Sequence, residues 1–376
     1  MAARMTTPPE SPQAVAGSDA TPLLSIVIPT LNEAKTLPLL AADLVAQREI
    51  TLEVLVGDGG SSDATQSVVE AAGWRFVAAP RGRGAQMNAA ARLARGDLLL
   101  FLHADSRLPD PLLLSQAVAE LIEHERLHGP TAGHFRLRFR RNTNTNRLGY
   151  RYIEAKTALN RANTTNGDQG FLLTRALFDR LGGFDQRLPF LEDQRLAERI
   201  RAQARWITLP GHLETSARRF ETEGFHRRYL LMGIIMGMHA IGMKTFFARA
   251  PGVYRAQAET GRLRLSPFFA LIRSMICHDW GLAGTVRVFH DLGRYLRENA
   301  WQPLFFVDVC LRPWLGPDSS PLLRLHDRWI ARVLNLRPID ALAGLLCFVW
   351  YLGLLAPIFR LIEGPESERT ERANHG

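Results

Sequence analysis

The stretch Gly96–Pro109, G-D-L-L-L-F-L-H-A-D-S-R-L-P, constrains the fold of this chain more than any other. Leu98 to Leu102 is an apolar run too short for a typical helix, and it has the make-up of a strand buried on both faces, as in a parallel sheet. The run stops at the polar tripeptide His103-Ala104-Asp105. In open α/β sheets ligands bind beyond the carboxyl ends of the strands, so a carboxylate directly after such a strand points into a crevice. Asp105 is therefore the first functional candidate.

The same punctuation recurs upstream. From Leu23 onward short apolar segments alternate with helical ones, the habit of a mostly parallel sheet covered on both faces. Strands are expected at Leu24 to Ile28, Glu53 to Val56, Arg75 to Ala78 and Leu98 to Leu102. The first ends in Pro29-Thr30-Leu31-Asn32-Glu33 and the second in Gly57-Asp58-Gly59-Gly60-Ser61-Ser62-Asp63. One carboxylate in a βα turn is more often a helix cap or a turn former. Carboxylates on three such turns of one edge shift the balance toward a ligand site, because parallel strands gather their ends in one crevice.

Ahead of an Ala-rich helix lies Arg81-Gly82-Arg83-Gly84-Ala85-Gln86-Met87-Asn88. Exposed backbone N–H groups at a helix start, with arginines beside them, suit an anion. A solvated basic loop with an Ala-rich packing face is an equal alternative. The chain as a whole carries a formal charge of +9, which fits nucleic acid, an anionic membrane surface or a phosphorylated small molecule. No zinc-finger, RNP or bZIP pattern is present, so nucleic acid is not expected as a partner. Cys277, Cys310 and Cys347 lack metal-type spacing and read as buried thiols in a reducing compartment.

Taken together, S-I-V-I-P-T-L-N-E (Ser25 to Glu33), V-G-D-G-G-S-S-D (Val56 to Asp63), G-x-x-x-N (Gly84 to Asn88) and A-R-G-D-L-L-L-F-L-H-A-D-S resemble, in order, a family-2 glycosyltransferase. The resemblance covers about residues 23 to 243. It implies an α/β, GT-A fold with a mostly parallel central sheet and a helical C-terminal region. The downstream segments N-G-D-Q-G-F, L-G-G-F-D, L-E-D and T-S-A-R-R resemble a bacterial subgroup associated with radical-SAM and selenoprotein neighbourhoods.

The activity so implied is a metal-dependent, inverting transfer of a sugar from a UDP- or GDP-linked donor to a hydroxyl acceptor. Glu33 and Asp58 would contact the nucleoside, with Pro29, Thr30, Arg81, Gly84, Asn88 and Ala104 completing the nucleotide site. Asp105 matches the last carboxylate of the family's D-x-D motif, which holds Mg2+ or Mn2+ on the diphosphate. His103 stands where the family has an acid, and either ligates the ion, binds a phosphate or caps the strand. A divalent ion on oxygen ligands neutralises a departing diphosphate as a Lewis acid.

A glycosyl transfer also needs a base for the acceptor hydroxyl. Glu192 and Asp193 stand at a predicted helix start, where acids commonly complement the helix dipole; the resemblance points to Asp193 as the base. Asp168 and Gln169, within Asn166 to Gly170, would face the acceptor or donor sugar or form a turn. Arg218 and Arg219 either clamp the diphosphate or form a solvated pair. The alternative reading is a nucleotide-binding scaffold on the same fold that transfers nothing.

The expected organisation is a disordered tail over 1–22, a catalytic domain over 23–224 and a basic, aromatic helical region over 225–376. Residues 341–359 carry no charge and are either a membrane-spanning helix or a buried one. Arg324, Arg328, Arg332 and Arg337 flank that run, which predicts a catalytic side facing the cytoplasm at the inner membrane, or a cytoplasmic protein.

Overall fold

A computed structural model of the chain describes residues 23–188, 190–255 and 263–364. The tail expected over 1–22 lies outside the described residues. Seven strands form one sheet: β1 (Leu23–Thr30), β2 (Thr51–Asp58), β3 (Arg75–Ala78), β4 (Leu98–Phe101), β5 (Thr131–Arg140), β6 (Phe171–Thr174) and β7 (Arg205–Ser216). Their order is β3-β2-β1-β4-β6-β5-β7. All neighbours run parallel except those of β6, which is antiparallel to both β4 and β5.

Helices α1 (Leu37–Val45), α2 (Thr65–Ala71), α3 (Arg83–Ala91), α4 (Leu113–His128), α5 (Arg147–Thr157), α6 (Arg175–Arg180) and α7 (Glu192–Gln203) accompany the sheet. Successive strand side chains point to opposite faces, and β1 shows the result. Leu24, Ile26 and Ile28 pack with Leu37, Leu40 and Leu114 on one face, while Val27 packs with Met87, Ala90 and Leu196 on the other. Leu98 to Leu102 are each at most 4% exposed, and full burial of one such side chain contributes roughly 1.5–3 kcal/mol. The mostly parallel sheet expected from the sequence is thus in place.

The described residues after β7 are mostly helical: α8 (Arg218–Glu223), α9 (Phe225–Ala240), α10 (Lys244–Arg255), α11 (Ser266–Met275), α12 (Gly281–Glu298), α13 (Trp301–Leu315), α14 (Pro321–Leu325), α15 (Ala331–Leu334), α16 (Arg337–Phe348) and α17 (Ala356–Glu363). An aromatic cluster of Tyr150, Tyr152, Phe220, Phe225, Trp301 and Phe305 joins α5 and α8 to α9 and α13. A second helical core contains Leu231, Phe246, Phe268, Phe289 and Cys347. Only Cys347 is a buried thiol. Cys277 is exposed and Cys310 half-buried, contrary to the expectation for all three, because α11 to α13 turn part of their surface outward.

Candidate active site

The polar turns meet as the topology requires. Thr30 and Asp58 are cross-strand partners at the ends of β1 and β2, and the Thr30 hydroxyl donates to Asp58 at 3.1 Å. Asp58 also accepts the N–H groups of Gly60 (2.9 Å) and Ser61 (2.8 Å) and the Ser61 hydroxyl (2.5 Å). Burial alone would raise its carboxyl, but these donors outweigh that and hold it below the usual carboxylate range. Glu33 is turned into local structure instead: its carboxylate accepts the Thr36 hydroxyl at 2.6 Å ahead of α1.

The start of α3 lies directly on this turn. The Gln86 side chain donates to the carbonyls of Thr30 (2.5 Å) and Gly57 (3.2 Å). A Cβ on Gly57 would come within 2.3 Å of the Gln86 carbonyl oxygen, so glycine is required there by space. Gly84 is buried against Phe184 and Asp185, and Arg81 is exposed. Asn88 does not face the crevice as a ligand group. Its carboxamide accepts the N–H of Phe184 and donates to the Phe184 carbonyl, both at 2.9 Å, which fixes the Gly182–Asp185 loop onto α3.

At the end of β4 the antiparallel partner matters most. Phe101 pairs with Phe171, so the residues preceding β6 return to the edge where β4 stops. The His103 Nδ1 consequently meets the Asp168 carboxylate at 2.5 Å. Burial lowers the His103 pKa, but Asp168 more than offsets this and raises it overall, favouring the imidazolium. In turn, burial raises Asp168, but His103, Arg83 and Arg219 hold its carboxyl well below the ordinary range. Arg219 therefore lies near this pair. Arg218 is exposed; its backbone N–H donates to the Ser216 hydroxyl at 3.2 Å and its carbonyl accepts the Thr222 hydroxyl at 2.6 Å.

Gly167 is the hub. Its N–H donates to Asp193 Oδ2 at 2.7 Å, and a Cβ on it would sit 3.1 Å from His103 Nε2 and 3.2 Å from Asp193 Oδ2. His103, Gly167 and Asp193 line a small cavity with Met87, Phe101, Phe171 and Phe184. Asp193 also accepts the Gln194 N–H at 2.8 Å, leaving lone pairs on both oxygens. Neighbouring Glu192, 2% exposed, is ion-paired at 2.7 Å to Arg83. Burial pushes its pKa up, and Arg83 supplies the compensating charge.

Gln169 is a correction to the expected acceptor contact. It is fully buried, donates to His134 Nδ1 and to the carbonyls of Phe135 and Thr157, and accepts the Asn166 N–H at 2.8 Å. Every polar atom is used behind the site. Arg83, Gln86 and Gly167 take part as well, although the sequence marks none of them as an individual site residue. Arg83 was legible in principle within the R-G-R-G run, whereas the role of Gly167 depends on strand pairing.

Among the described residues no group of three His, Cys, Asp or Glu side chains stands close enough to hold a metal ion. His103 spends Nδ1 on Asp168 and presents Nε2 beside Gly167 in the cavity, where it can meet a phosphate oxygen or an ion. Asp105 carries no hydrogen bond or ion pair among the described residues. It fits an ion whose remaining oxygens come from a diphosphate and water, the usual manner of Mg2+, and does not fit a resident ion held by protein alone.

Residues 25–182 match the profile of the family described as glycosyl transferase family 2. A PGL/p-HBAD biosynthesis glycosyltransferase of Mycobacterium bovis (strain BCG / Pasteur 1173P2) is 35% identical over 113 residues, 28% of this chain and 44% of that protein. The chain thus spans less than half the length of this relative. Among solved structures, the mannosyltransferase PcManGT from Pyrobaculum calidifontis in complex with GDP-Man and Mn2+ is similar at 18% identity and a TM-score of 0.43, over 88% of each chain. Staphylococcus aureus TarS 1-349 in complex with UDP is similar at 17% identity and a TM-score of 0.45, over 88% of this chain and 91% of that one.

Proposed function

We propose that this chain transfers a sugar from a nucleotide-diphosphate donor, UDP- or GDP-linked, to a hydroxyl acceptor, with inversion at the anomeric carbon. The observation that carries the reading is the meeting of His103, Asp168 and Asp193 around Gly167, beside the family-matched turns that end in Asp58 and Asp105. The nucleoside binds over Asp58 with Pro29, Thr30 and Ala104 as walls. Asp193 takes the proton of the acceptor hydroxyl, whose oxygen attacks in line as the diphosphate leaves.

Charge developing on the diphosphate is met by His103, held by Asp168 before reaction, and by Arg219 close by. Mg2+ or Mn2+, where bound, would be held by Asp105 and would supply Lewis-acid neutralisation of the leaving group. Glu192, paired with Arg83, positions the start of α7 beside the cavity. The acceptor is lipid-linked or otherwise part of the cell envelope and is met at the cytoplasmic face of the inner membrane. The exposed apolar surface of the helical region supports that reading, and the N-G-D-Q-G-F and L-G-G-F-D segments support the bacterial subgroup.

The test is donor turnover with Mn2+ or Mg2+. Wild type is expected to release nucleoside diphosphate from one member of a nucleotide-sugar panel, and Asp105→Asn to lose that release. Asp193→Asn is expected to lower kcat for transfer by about 10²-fold or more, the usual worth of a positioned base, while nucleotide still raises its Tm. Nucleotide binding without turnover of any donor by wild type would establish the scaffold reading instead.

A further inference from the structure

The helical run Pro338–Glu363 is 26 residues long and passes without a break from α16 through the π-helical stretch Val349–Leu355 to α17. At 1.5 Å per residue it extends about 39 Å, more than the roughly 30 Å of a bilayer's hydrocarbon core. It is not a buried helix: only 11% of its most apolar window is covered. Leu342, Leu345, Leu346, Val349, Trp350 and Leu354 face outward, between 42% and 61% exposed. The opposite side, with Gly344, Cys347, Tyr351 and Leu355, packs on the rest of the chain.

How the two ends are held decides what this helix can do. Near its start, Asp340 is 7% exposed and accepts from Arg297 Nε of α12 at 2.5 Å. The two helices touch backbone to backbone: a Cβ on Gly293 would come within 2.0 Å of the Asp340 carbonyl oxygen, and one on Gly344 within 2.3 Å of that of Phe289. At the far end the Glu363 carboxylate meets Arg227 of α9 at 3.0 Å and accepts the N–H groups of Leu265 (3.1 Å) and Ser266 (2.9 Å).

Both anchors lead back to one element. α12 passes directly into α13, where Gln302 accepts from the Tyr152 hydroxyl of α5 at 3.3 Å. Arg227 stands two residues from Phe225, whose ring packs 4.9 Å from Tyr150 of the same α5. A crossing would put Asp340 and Glu363 on opposite sides of the hydrocarbon, and α12 would follow with Arg287, His290, Asp291 and Arg294. Charges at that depth are strongly disfavoured.

We propose that Pro338–Glu363 does not span the bilayer but lies flat in a membrane surface rich in anionic lipid, its outward apolar stripe seated at the boundary of headgroups and chains. Charge complementarity selects the occupant. The chain carries +9, and the segment leading into the helix exposes Arg324, Arg328 and Arg332 among exposed Leu325, Trp329 and Val333. An apolar stripe with arginines and tryptophan beside it is the make-up of an in-plane helix. A second copy of this chain, equally positive, would bring like charges together. The inference rests on the membrane-facing part of the function proposed above and is independent of sugar transfer.

The test uses the full chain and vesicles of phosphatidylcholine with or without phosphatidylglycerol. Sedimentation with the anionic vesicles is expected, weakening as salt rises. The double variant Leu345→Glu/Trp350→Glu, changed only at exposed positions, is expected to lose at least about tenfold in binding, with Tm and soluble-donor turnover unchanged. In a Cys277→Ser background, Pro338→Cys and Gly364→Cys on vesicle-bound protein are both expected to react with an impermeant maleimide added outside. Labelling at one end only would overturn the flat seating in favour of a span while leaving membrane attachment intact. Failure to bind any vesicle, with a dimer that Leu345→Glu dissociates, would overturn it in favour of a second copy.

Discussion

Glu53 lies at the end of the sheet opposite the polar turns, where a carboxylate reads as surface charge in the sequence. It accepts the Ser25 hydroxyl at 2.5 Å, the backbone N–H groups of Arg95 and Gly96, and the Arg95 guanidinium at 3.0 Å, so one side chain binds β1, β2 and the approach to β4. Burial would raise its pKa, but these donors hold it at about 2. A depressed carboxyl adds stability that is complete above its unfolded value and is lost as pH falls toward the folded one. With the side chain 11% exposed, Glu53→Gln is expected to cost about 2 kcal/mol at pH 7. Denaturant melts should show that gap closing between the ordinary carboxylate range and about pH 2; a gap constant from pH 7 to pH 3 would exclude the linkage. Residues differ in how legible such roles are. Asp58 followed from a turn at a strand end. Asn88, inside α3, and Gln169, ahead of β6, are equally polar, yet their partners, Phe184 and the strip His134, Phe135 and Thr157, are distant in sequence, and no local pattern encodes them.

Elements that bury both faces announce themselves. β1, β2 and β4 are short apolar runs ended by polar turns, and the structure extends or trims the expected bounds by a few residues: Leu24 to Ile28 becomes Leu23–Thr30, and Leu98 to Leu102 ends at Phe101. β5 alternates exposed Arg136 and Arg138 with buried Phe135 and Leu137, and β7 half-buried His212 and Glu214 with buried Leu213 and Thr215, over part of their lengths only. The insertion of β6 between β4 and β5 with reversed direction has no local signature, although it alone brings Asp168 to His103. The placement of α3 is likewise a matter of contact, and it can be tested at Gly57. Overpacking a filled site typically costs 1–3 kcal/mol, so Gly57→Ala is expected to lose about 2 kcal/mol and to weaken nucleotide binding by tilting α3 off the end of β2. Gly60, with φ +88° and open space around its Cα, provides the contrast: Gly60→Ala should bring only the cost of left-handed backbone, about 1 kcal/mol. Equal losses in thermal melts and nucleotide titrations would refute the contact argument.

Across the whole molecule, the helical region is closed by a contact between segments more than a hundred residues apart. The Glu363 side chain is 2% exposed, its partner Arg227 16%, and the carboxylate also takes the N–H groups that open the turn into α11. Composition revealed a charge-free run bounded by charges, and so the helix. It could not reveal that Asp340 at one boundary and Glu363 beyond the other are bonds rather than flanks, because Arg227 and Arg297 become partners only once α9 and α12 have packed on α5 through α13. Removing one member of a buried pair leaves the other uncompensated, at a cost of about 3–5 kcal/mol. Glu363→Ala is therefore expected to free the C-terminal end of α17, visible as early proteolysis there and as faster amide exchange through α16 and α17. Exchange in β1, β2 and β4 should be unchanged, since their core shares no residue with the helical one. Replacing both partners, Arg227→Met with Glu363→Gln, should recover part of the loss, because no uncompensated charge then remains buried. An additive double variant would mean that the two groups act separately and that the ion pair is not what holds the helix along the body.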